Sequence, residues 1–438
     1  MELDQILTFR VAACDLNGQM RGKRLPISDY QKLDNGLVRM PLSVMNVDVW
    51  GADIIKSPLV FDSGDQDGVL FPTERGSVPM PWLSAPTVFV PMWMYREDGT
   101  PFEGDPRHAL AAVLKRYAAH GWTVTAATEL EFYLVDDSGD SLAPPINPLS
   151  GRPVHGHAYM SLRQLDAFDA YFTELYQACA SMNIDAQTAI SEAGLGQFEI
   201  NLNHTDAMRM ADDTWMFKAL VRGLARKHGM AATFMAKPFL GDAGNGMHMH
   251  FSVTDKEGKN IFDDGTPIGT DALRHAVAGC LNAMPASTLV FAPHGNSFER
   301  LTPGSHAPTG VSWGYENRTA ALRIPAGNTK ARRIEHRVAC GDINPYLLFS
   351  LVLGAALVGI EEQQTPPAAI SGNAYAHDVP RLPTDWSAAI ALFKTDPMIE
   401  KLLPRQLIDN FCLTKEQELE RLRDIDPSDH WKVYLETV

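Results

Sequence analysis

Residues 237–252 read KPFLGDAGNGMHMHFS. The glycine-rich part, residues 241–246, lets the backbone approach a bound group closely before the chain enters an extended segment. Side chains alternate between the two faces of a strand, so His248, His250 and Ser252 share one face and apolar side chains occupy the other. The stretch predicts a strand of a half-buried sheet whose polar face either meets water or lines a site.

Carboxylates occupy alternate positions on two further predicted strands. Glu129 and Glu131 share one face of residues 123–134, and Glu199 lies between two amide side chains on one face of residues 197–201. Two like charges at that spacing repel each other unless water or a cation relieves the repulsion. Either these faces are exposed, or a metal ion binds there.

Cationic side chains follow later in the chain. Residues 332–337 read RRIEHR, in which Arg333, Glu335 and Arg337 share a strand face. Carboxylates with a single imidazole suit hard divalent ions such as Mg²⁺ or Mn²⁺, and guanidinium groups suit phosphate and carboxylate oxygens. Together the faces predict one charged cavity for metal and phosphate, and hence ATP-dependent activation of a carboxylic acid.

The composition restricts the class of protein. The chain has 438 residues, 45% of them hydrophobic, and a formal net charge of -15, which disfavours nucleic acid or an anionic membrane as the main partner. Five separated cysteines without a CxxC pair indicate reduced thiols. The sequence shows neither a signal peptide nor an apolar run long enough to span a bilayer, so we expect a cytoplasmic protein that acts on small molecules.

A turn-rich segment, residues 96–106, separates two predicted domains. Asp105 followed by Pro106 is typical of the first turn of a helix, which marks the start of a new unit. We therefore divide the chain into an N-terminal domain, residues 1–100, and a second domain, residues 106–438.

Other elements follow from periodicity and turn residues. They are a hairpin that turns at Asn17-Gly18, a buried strand over residues 87–94, and helices over residues 164–182, 212–228, 272–284, 345–361 and 387–435. The long irregular segment of residues 293–311 is expected to cover a site, because loops of this length inside a domain usually do so.

Five ordered blocks closely resemble the glutamine synthetase family. They are KP at 237–238 with AGNGMHMHFS at 243–252, TELEF at 128–132, EAGLGQFE at 192–199, NRTAALR at 317–323 and RRIEHR at 332–337. The resemblance implies an α+β protein with an N-terminal β-grasp domain and a catalytic domain built on a curved antiparallel sheet. It also implies a homo-oligomer, a dodecamer of two hexameric rings with shared active sites.

The resemblance also assigns roles to individual residues. One metal ion would be held by Glu131, Glu192 and Glu199, and a second by Glu129, His248 and Glu335. Glutamate would be bound by Gly244, Arg300 and Arg337, and ATP by His250, Ser252, Arg323, Lys330 and Arg333. Arg318 would stabilise the transferred phosphoryl group, and an acidic segment containing Asp48 and Asp67 would reach the site of a neighbouring subunit, where Asp48 would take part in catalysis.

Two departures from the family pattern concern the substrates, the first a contact to glutamate and the second the amine. Ala243 stands where ammonia-using members have Asn, and His306 of the segment Pro303-Gly-Ser-His-Ala-Pro308 stands where they have Glu. The replacement of that Glu by His, with an intact metal site, resembles the γ-glutamylpolyamine (γ-glutamylputrescine) synthetase branch, as does the stretch WGYENR at 313–318. It implies ATP-dependent ligation of the γ-carboxylate of glutamate to putrescine or another polyamine through γ-glutamyl phosphate, with His306 as a catalytic residue.

Two alternatives remain open at this point. One is ordinary glutamate-ammonia ligation, and the other is a non-catalytic assembly or regulatory protein on the same fold. The survival of every matched ligand and arginine weighs against the second. Tyr375 lies near the position at which some members are adenylylated, but the Pro-Pro-acidic sequence that follows there is absent, so we predict no such control.

Overall fold

The computed structural model of the protein describes residues 6–327 and 329–438. Its strands are β1 (Thr8–Cys14), β2 (Met20–Pro26), β3 (Arg39–Pro41), β4 (Asp67–Pro72), β5 (Val78–Pro79), β6 (Thr87–Tyr95), β7 (Thr123–Val135), β8 (Ile146–Asn147), β9 (Arg152–Pro153), β10 (Ala186–Ser191), β11 (Gln197–Asp206), β12 (Ala231–Thr233), β13 (Met247–Thr254), β14 (Trp313–Tyr315), β15 (Leu322–Ile324) and β16 (Ile334–His336). Its helices are α1 (Pro106–Ala119), α2 (Leu162–Ala167), α3 (Asp169–Ser181), α4 (Ala207–Lys227), α5 (Asp271–Phe291), α6 (Pro345–Glu361), α7 (Trp386–Thr395), α8 (Pro397–Leu402), α9 (Arg405–Leu422) and α10 (His430–Tyr434).

The first sheet lies within residues 8–95. Its strands follow the order β2-β1-β6-β4-β3, and β5 pairs with β6. The hairpin prediction is confirmed, because β1 and β2 pair antiparallel from Thr8 opposite Pro26 to Cys14 opposite Met20. Gly18 makes the turn with φ of +81°, a conformation that favours glycine.

The second sheet carries the polar faces. Its order is β10-β11-β7-β13-β16-β15-β14, with β12 also on β7. The pairs are antiparallel except for β14 and β15, which run parallel. The predicted mixed α+β fold with an antiparallel catalytic sheet is confirmed, apart from that parallel pair.

One face of β13 is buried in the main core. Met247, Met249 and Phe251 are at most 1% exposed, as the alternating pattern predicts. Helices α1 and α4 pack on the sheet, and α6, which is buried along almost its whole length, packs against α1, α4 and α5. The apolar side of the sheet is thus held by helices, and the polar side is left for a site.

Most predicted helices are confirmed, with three corrections to their bounds. Residues 164–182 do not form one helix, because Phe168 at φ -110° and ψ 23° separates α2 from α3. Helix α4 begins at Ala207 rather than at 212, since the Asp206 carboxylate caps the first turn. Helix α5 continues beyond residue 284 to Phe291 and includes Pro285.

The helix after the predicted domain boundary has the expected ends. The Asp105 side chain accepts a hydrogen bond from the Arg107 amide at 2.8 Å, Pro106 occupies the first turn, and Gly121 follows the helix with φ of +73°. Residues 387–435, predicted as helical, fall into four helices, α7 to α10. Within residues 6–327 and 329–438, no helix is both long enough and apolar enough to cross a bilayer.

Candidate active site

Strand register brings the alternating polar residues of the second sheet together. Glu199 of β11 lies opposite Glu131 of β7. Glu129 of β7 lies between Asn201 of β11 and His248 of β13. Because side chains directly opposite each other on one sheet face are close neighbours, these carboxylates must share a small volume.

The carboxylate cluster consists of Glu131, Glu192 and Glu199, with one oxygen of each within 4.8 Å of the others. Burial and the neighbouring charge of Glu131 raise the pKa of Glu192 to about 7. Burial and the charges of the surrounding glutamates raise the pKa of Glu199 to about 10, whereas the positive charge of Arg318 opposes the rise at Glu192. This cluster favours protonated carboxyls until a cation binds.

The mixed cluster consists of Glu129, His248, His250 and Glu335. His248 Nδ1 lies 3.0 Å from Glu129 Oε2 and 4.0 Å from Glu335 Oε1. His250 Nε2 lies 3.0 Å from Glu129 Oε1 on the other side. Burial alone would raise the pKa of Glu129, but the hydrogen bonds and charges of the two histidines lower it.

Two arginines complete the surroundings of Glu335, which is 1% exposed. Arg323 Nη1 donates to Glu335 Oε2 at 2.7 Å, and Arg337 Nη1 donates to Oε1 of the same carboxylate. Burial opposes ionisation of Glu335, yet the positive charges of His250, His248 and Arg337 lower its pKa to about 2. The mixed cluster therefore holds its carboxylates ionised with charges of its own.

The glycine-rich segment fits against Arg300. A Cβ on Gly244 would lie 2.7 Å from the Ala236 carbonyl oxygen and 2.8 Å from Arg300 Cγ, and a Cβ on Gly246 would meet the guanidinium. The Gly246 amide also donates to Glu131 Oε2 at 2.5 Å. Glycine is needed at both positions because the backbone passes directly beside the buried Arg300 and the carboxylate cluster.

A cavity of about 550 Å³ opens beside the mixed cluster. Four residues of the predicted ATP site line it, namely His250, Ser252, Lys330 and Arg333. Arg323 instead contacts Glu335. Sequence reasoning missed other polar residues of this lining, including Gln187, Asn203 and His204. Continued alternation along β11 past Asn201 was the signal that could have found Asn203.

Two predicted catalytic residues, His306 and Arg318, are not among the residues that line this cavity. His306 is exposed and has φ of +61°, and Arg318 is exposed on the segment between β14 and β15. The roles given to them stay predictions. His336 is on the core side of β16, where it packs against Phe291; it is 1% exposed, and burial lowers its pKa to about 3.

Asp48 is fully buried within its own chain. Its carboxylate accepts hydrogen bonds from the amides of Trp50 at 3.1 Å and Ala52 at 2.9 Å, and from Gln417 Nε2 at 2.9 Å. It also pairs with Arg421. These bonds fix the loop that carries Asp48, and its catalytic role stays a prediction.

The donor sets of both clusters fit hard divalent ions. The potential ligand atoms are carboxylate oxygens and imidazole nitrogens. The carboxylate cluster brings three of them together as predicted, whereas Glu129 and Glu335 of the mixed cluster form a close group with His250 instead of the predicted His248. Such donors suit Mg²⁺ or Mn²⁺. Glu199 and Glu129 also form a group with His248, so the two clusters adjoin each other.

Residues 103–434 match the family described as Glutamine synthetase, catalytic domain. The chain belongs to the glutamine synthetase family. It is 35% identical over 417 residues to gamma-glutamylputrescine synthetase PuuA of Escherichia coli (strain K12), covering 93% of this chain and 87% of that protein. It is 32% identical over 431 residues to glutamine synthetase of Pyrococcus abyssi (strain GE5 / Orsay), covering 96% of this chain and 89% of that protein.

A solved structure described as a GmaS/ADP complex superimposes with a TM-score of 0.84 at 26% identity, covering 99% of this chain and 97% of that one. The predicted family, its ligase class and the likeness to the γ-glutamylputrescine branch are confirmed. For this member of the glutamine synthetase family, the non-catalytic alternative loses its support.

Proposed function

We propose that this glutamine synthetase family member uses ATP to convert glutamate to γ-glutamyl phosphate and then transfers the γ-glutamyl group to a primary alkyl amine, putrescine or another polyamine. The observation that carries the proposal is a complete set of charged clusters next to a flap, residues 303–308, that presents His306 instead of a carboxylate. The similarity to gamma-glutamylputrescine synthetase PuuA supports the same class of acceptor.

Each of the two clusters would bind one divalent ion, and each ion would neutralise a different anionic group of the substrates. The carboxylate cluster would hold one Mg²⁺ or Mn²⁺ ion next to the glutamate γ-carboxylate, and Glu129, His248 and Glu335 would hold another next to the ATP phosphates. Bound divalent ions neutralise the anionic oxygens that meet during phosphoryl transfer. ATP is the co-substrate, and the 550 Å³ cavity beside His250 is of a size that takes such a ligand.

Arginines would position and stabilise the anionic groups. We assign Arg300 and Arg337, with Gly244, to the carboxylate end of glutamate, because their guanidinium groups are buried at the glycine-rich segment and the mixed cluster. We assign Arg318 to the transferred phosphoryl group, since its charge acts on Glu192 of the carboxylate cluster. We assign His250, Ser252, Arg323, Lys330 and Arg333 to ATP.

His306 decides which amine is favoured. A primary alkyl amine has a pKa of about 10.4, so its free base is disfavoured at pH 7 by about 4.6 kcal/mol and the site must accept a proton. An imidazole can accept it but attracts a cation less than a carboxylate does. Ammonium depends most on that lost attraction, whereas an alkyl amine offsets it by burying methylenes, at about 0.8 kcal/mol each.

The test measures ADP release with glutamate and a panel of acceptors: ammonia, ethanolamine, putrescine and spermidine. We expect a higher kcat/KM for an alkyl amine than for ammonia, and a shift of that ratio toward ammonia by about tenfold in His306→Glu. His306→Gln is the matched control, because it changes the side chain without adding charge.

Equal use of ammonia and every amine, with the ratio unchanged in His306→Glu, would contradict the role of His306. That result would favour glutamate-ammonia ligation, the activity named for the Pyrococcus abyssi relative.

We further propose that the protein is a homo-oligomer, a dodecamer of two hexameric rings in which Asp48 serves the active site of a neighbouring subunit. Exposed apolar side chains on the N-terminal sheet unit support association: Leu7 is 75% exposed, Ile55 78% and Phe61 79%. We place the domain boundary between residues 100 and 106, consistent with a first sheet that ends at Tyr95.

Mixing tests the shared site. Asp48→Asn and Glu335→Gln variants, each inactive alone, should recover part of the activity after they are unfolded and refolded together, because some sites then receive intact residues from both chains. Light scattering should show a particle much larger than one subunit. An active monomer would contradict the proposal.

A further inference from the structure

A strap, residues 370–382, runs along the segment that joins the flap to β14 and β15. The Val311 amide donates to the Pro380 carbonyl at 2.8 Å, and the Leu382 amide donates to the Thr309 carbonyl at 3.1 Å. The Ile370 amide donates to the Trp313 carbonyl at 2.9 Å. The strap is therefore bound to the chain on the C-terminal side of the flap.

The strap also holds both neighbours of Arg318. Asn317 Nδ2 donates to the Gly372 carbonyl at 2.9 Å, and the Ala374 amide donates to Thr319 Oγ1 at 2.9 Å. Asn317 Oδ1 in turn accepts from Thr319 Oγ1 at 2.7 Å. Because Arg318 itself is exposed, the position of its backbone is set by these bonds to the residues on either side.

One side chain connects the strap to the tip of the flap. The half-buried Tyr375 hydroxyl donates to the Ala307 carbonyl at 2.8 Å. Ala307 is 2% exposed and follows His306, whose left-handed backbone is uncommon for a residue other than glycine. A buried carbonyl without a donor is unfavourable, so the tyrosine stabilises this arrangement of the flap.

The hydroxyl also lies within the electrostatic range of the glutamate-binding arginines. Burial raises the pKa of Tyr375, and the charges of Arg300 and Arg337 act against that rise. The Tyr375 side chain thus reaches from the strap to the flap, on the side of the site where the acyl group would be held.

We propose that Tyr375 is a positioning residue for amine transfer: by holding the Ala307 carbonyl, in the residue next to His306, from the strap, it sets the place of the imidazole that receives the proton of the attacking amine. This inference rests on the proposed function. Tyr375 touches none of the reacting atoms, and phosphoryl transfer before the amine binds does not depend on it.

The test compares Tyr375→Phe with Tyr117→Phe. The Tyr117 hydroxyl also donates to a backbone carbonyl, that of Leu353, at 2.8 Å, but it lies in the core between α1 and α6. In Tyr375→Phe we expect kcat/KM for the amine to fall about tenfold. Positional isotope exchange in ATP with glutamate and no amine should stay within about twofold of wild type, as should both readouts in Tyr117→Phe.

A double mutant with His306 distinguishes loss of positioning by Tyr375 from a general loss of structure. In the His306→Ala background, Tyr375→Phe should cause no further loss of kcat/KM, because the group it positions is gone. A full additional loss in that background, or an equal loss in Tyr117→Phe, would overturn the proposal.

Amide hydrogen exchange gives a readout that needs no activity. Exchange at residues 304–307 should be faster in Tyr375→Phe than in wild type and unchanged in Tyr117→Phe. Unchanged exchange in Tyr375→Phe would overturn the inference even if the amine preference holds. Conversely, if wild type prefers ammonia or shows no ligation, the proposed function fails, and the exchange at the flap still decides whether Tyr375 holds it.

Discussion

The carboxylate cluster and the mixed cluster occupy the same face of one sheet, yet they shift the pKa values of their glutamates in opposite directions. In the first, Glu192 and Glu199 have pKa values raised to about 7 and about 10. In the second, Glu335 has a pKa lowered to about 2, and that of Glu129 is lowered as well. All four side chains are largely buried, so burial alone does not explain the contrast.

The difference lies in the charges that each cluster contains. The mixed cluster supplies two histidines and two arginines to its carboxylates, whereas the carboxylate cluster places glutamates against one another. In the mixed cluster, the negative charges of the carboxylates are neutralised by side chains of the protein. In the carboxylate cluster, the carboxyls need an external cation to become ionised, so metal binding there releases protons.

The largest effect is expected from removing a charge from the carboxylate cluster. Glu199→Gln or Glu131→Gln should lower the rate of ADP release by about a thousandfold or more, because the site then loses a ligand that holds the neutralising ion. Circular dichroism should show an intact fold. Glu361→Gln, which changes a carboxylate bound to Arg116 on the surface, is the control. A rate near that of wild type would remove Glu199 and Glu131 from the metal site.

The next largest effect is a difference between the two clusters in how a Glu→Gln substitution changes the free energy of unfolding. In chelator, Glu335→Gln should lower the free energy of unfolding by about 3–5 kcal/mol, since it leaves Arg323 and Arg337 without their buried anion. Glu199→Gln should be neutral or stabilising, because the lost carboxyl is already protonated. Urea denaturation of both variants measures this difference. Equal losses would mean that the two environments are not distinct.

The pH dependence gives the smallest of these effects. Carboxyls with raised pKa values bind protons more tightly in the folded state, so their contribution to stability is full below pH about 4.5 and falls as pH rises through about 7 for Glu192. Glu192 alone should therefore cost the metal-free protein about 2 kcal/mol between pH 5 and 8, and Glu199, whose pKa is raised further, should add to that loss. Glu335, with its low pKa, adds no slope in that range.

Saturating Mg²⁺ should flatten this pH profile, because the ion favours the ionised carboxylates of the carboxylate cluster. Calorimetric titration in two buffers of different ionisation enthalpy should show proton release on binding. A metal-free profile that rises from pH 5 to 8 would contradict the raised pKa values.

Local features of this fold were predictable because they depend on neighbours in the chain. Alternation along β13 placed His248, His250 and Ser252 on one face, and Asp105 with Pro106 marked the start of α1. The break at Phe168 was missed, because the sequence there has neither proline nor glycine and the helical pattern continues across it. The early start of α4 was missed because the Asp206 cap was not recognised.

The sequence by itself determined the family, the residue types of the site and the face of the sheet on which each would stand, because these follow from motif order and from the period of a strand. Only the tertiary structure decided that Glu129 lies between two histidines while Glu199 faces Glu131, and that Tyr375 reaches the flap. These contacts join residues 68 to 121 positions apart in the chain. The ionisation of a buried carboxylate depends on such long-range neighbours, and no local pattern encodes them.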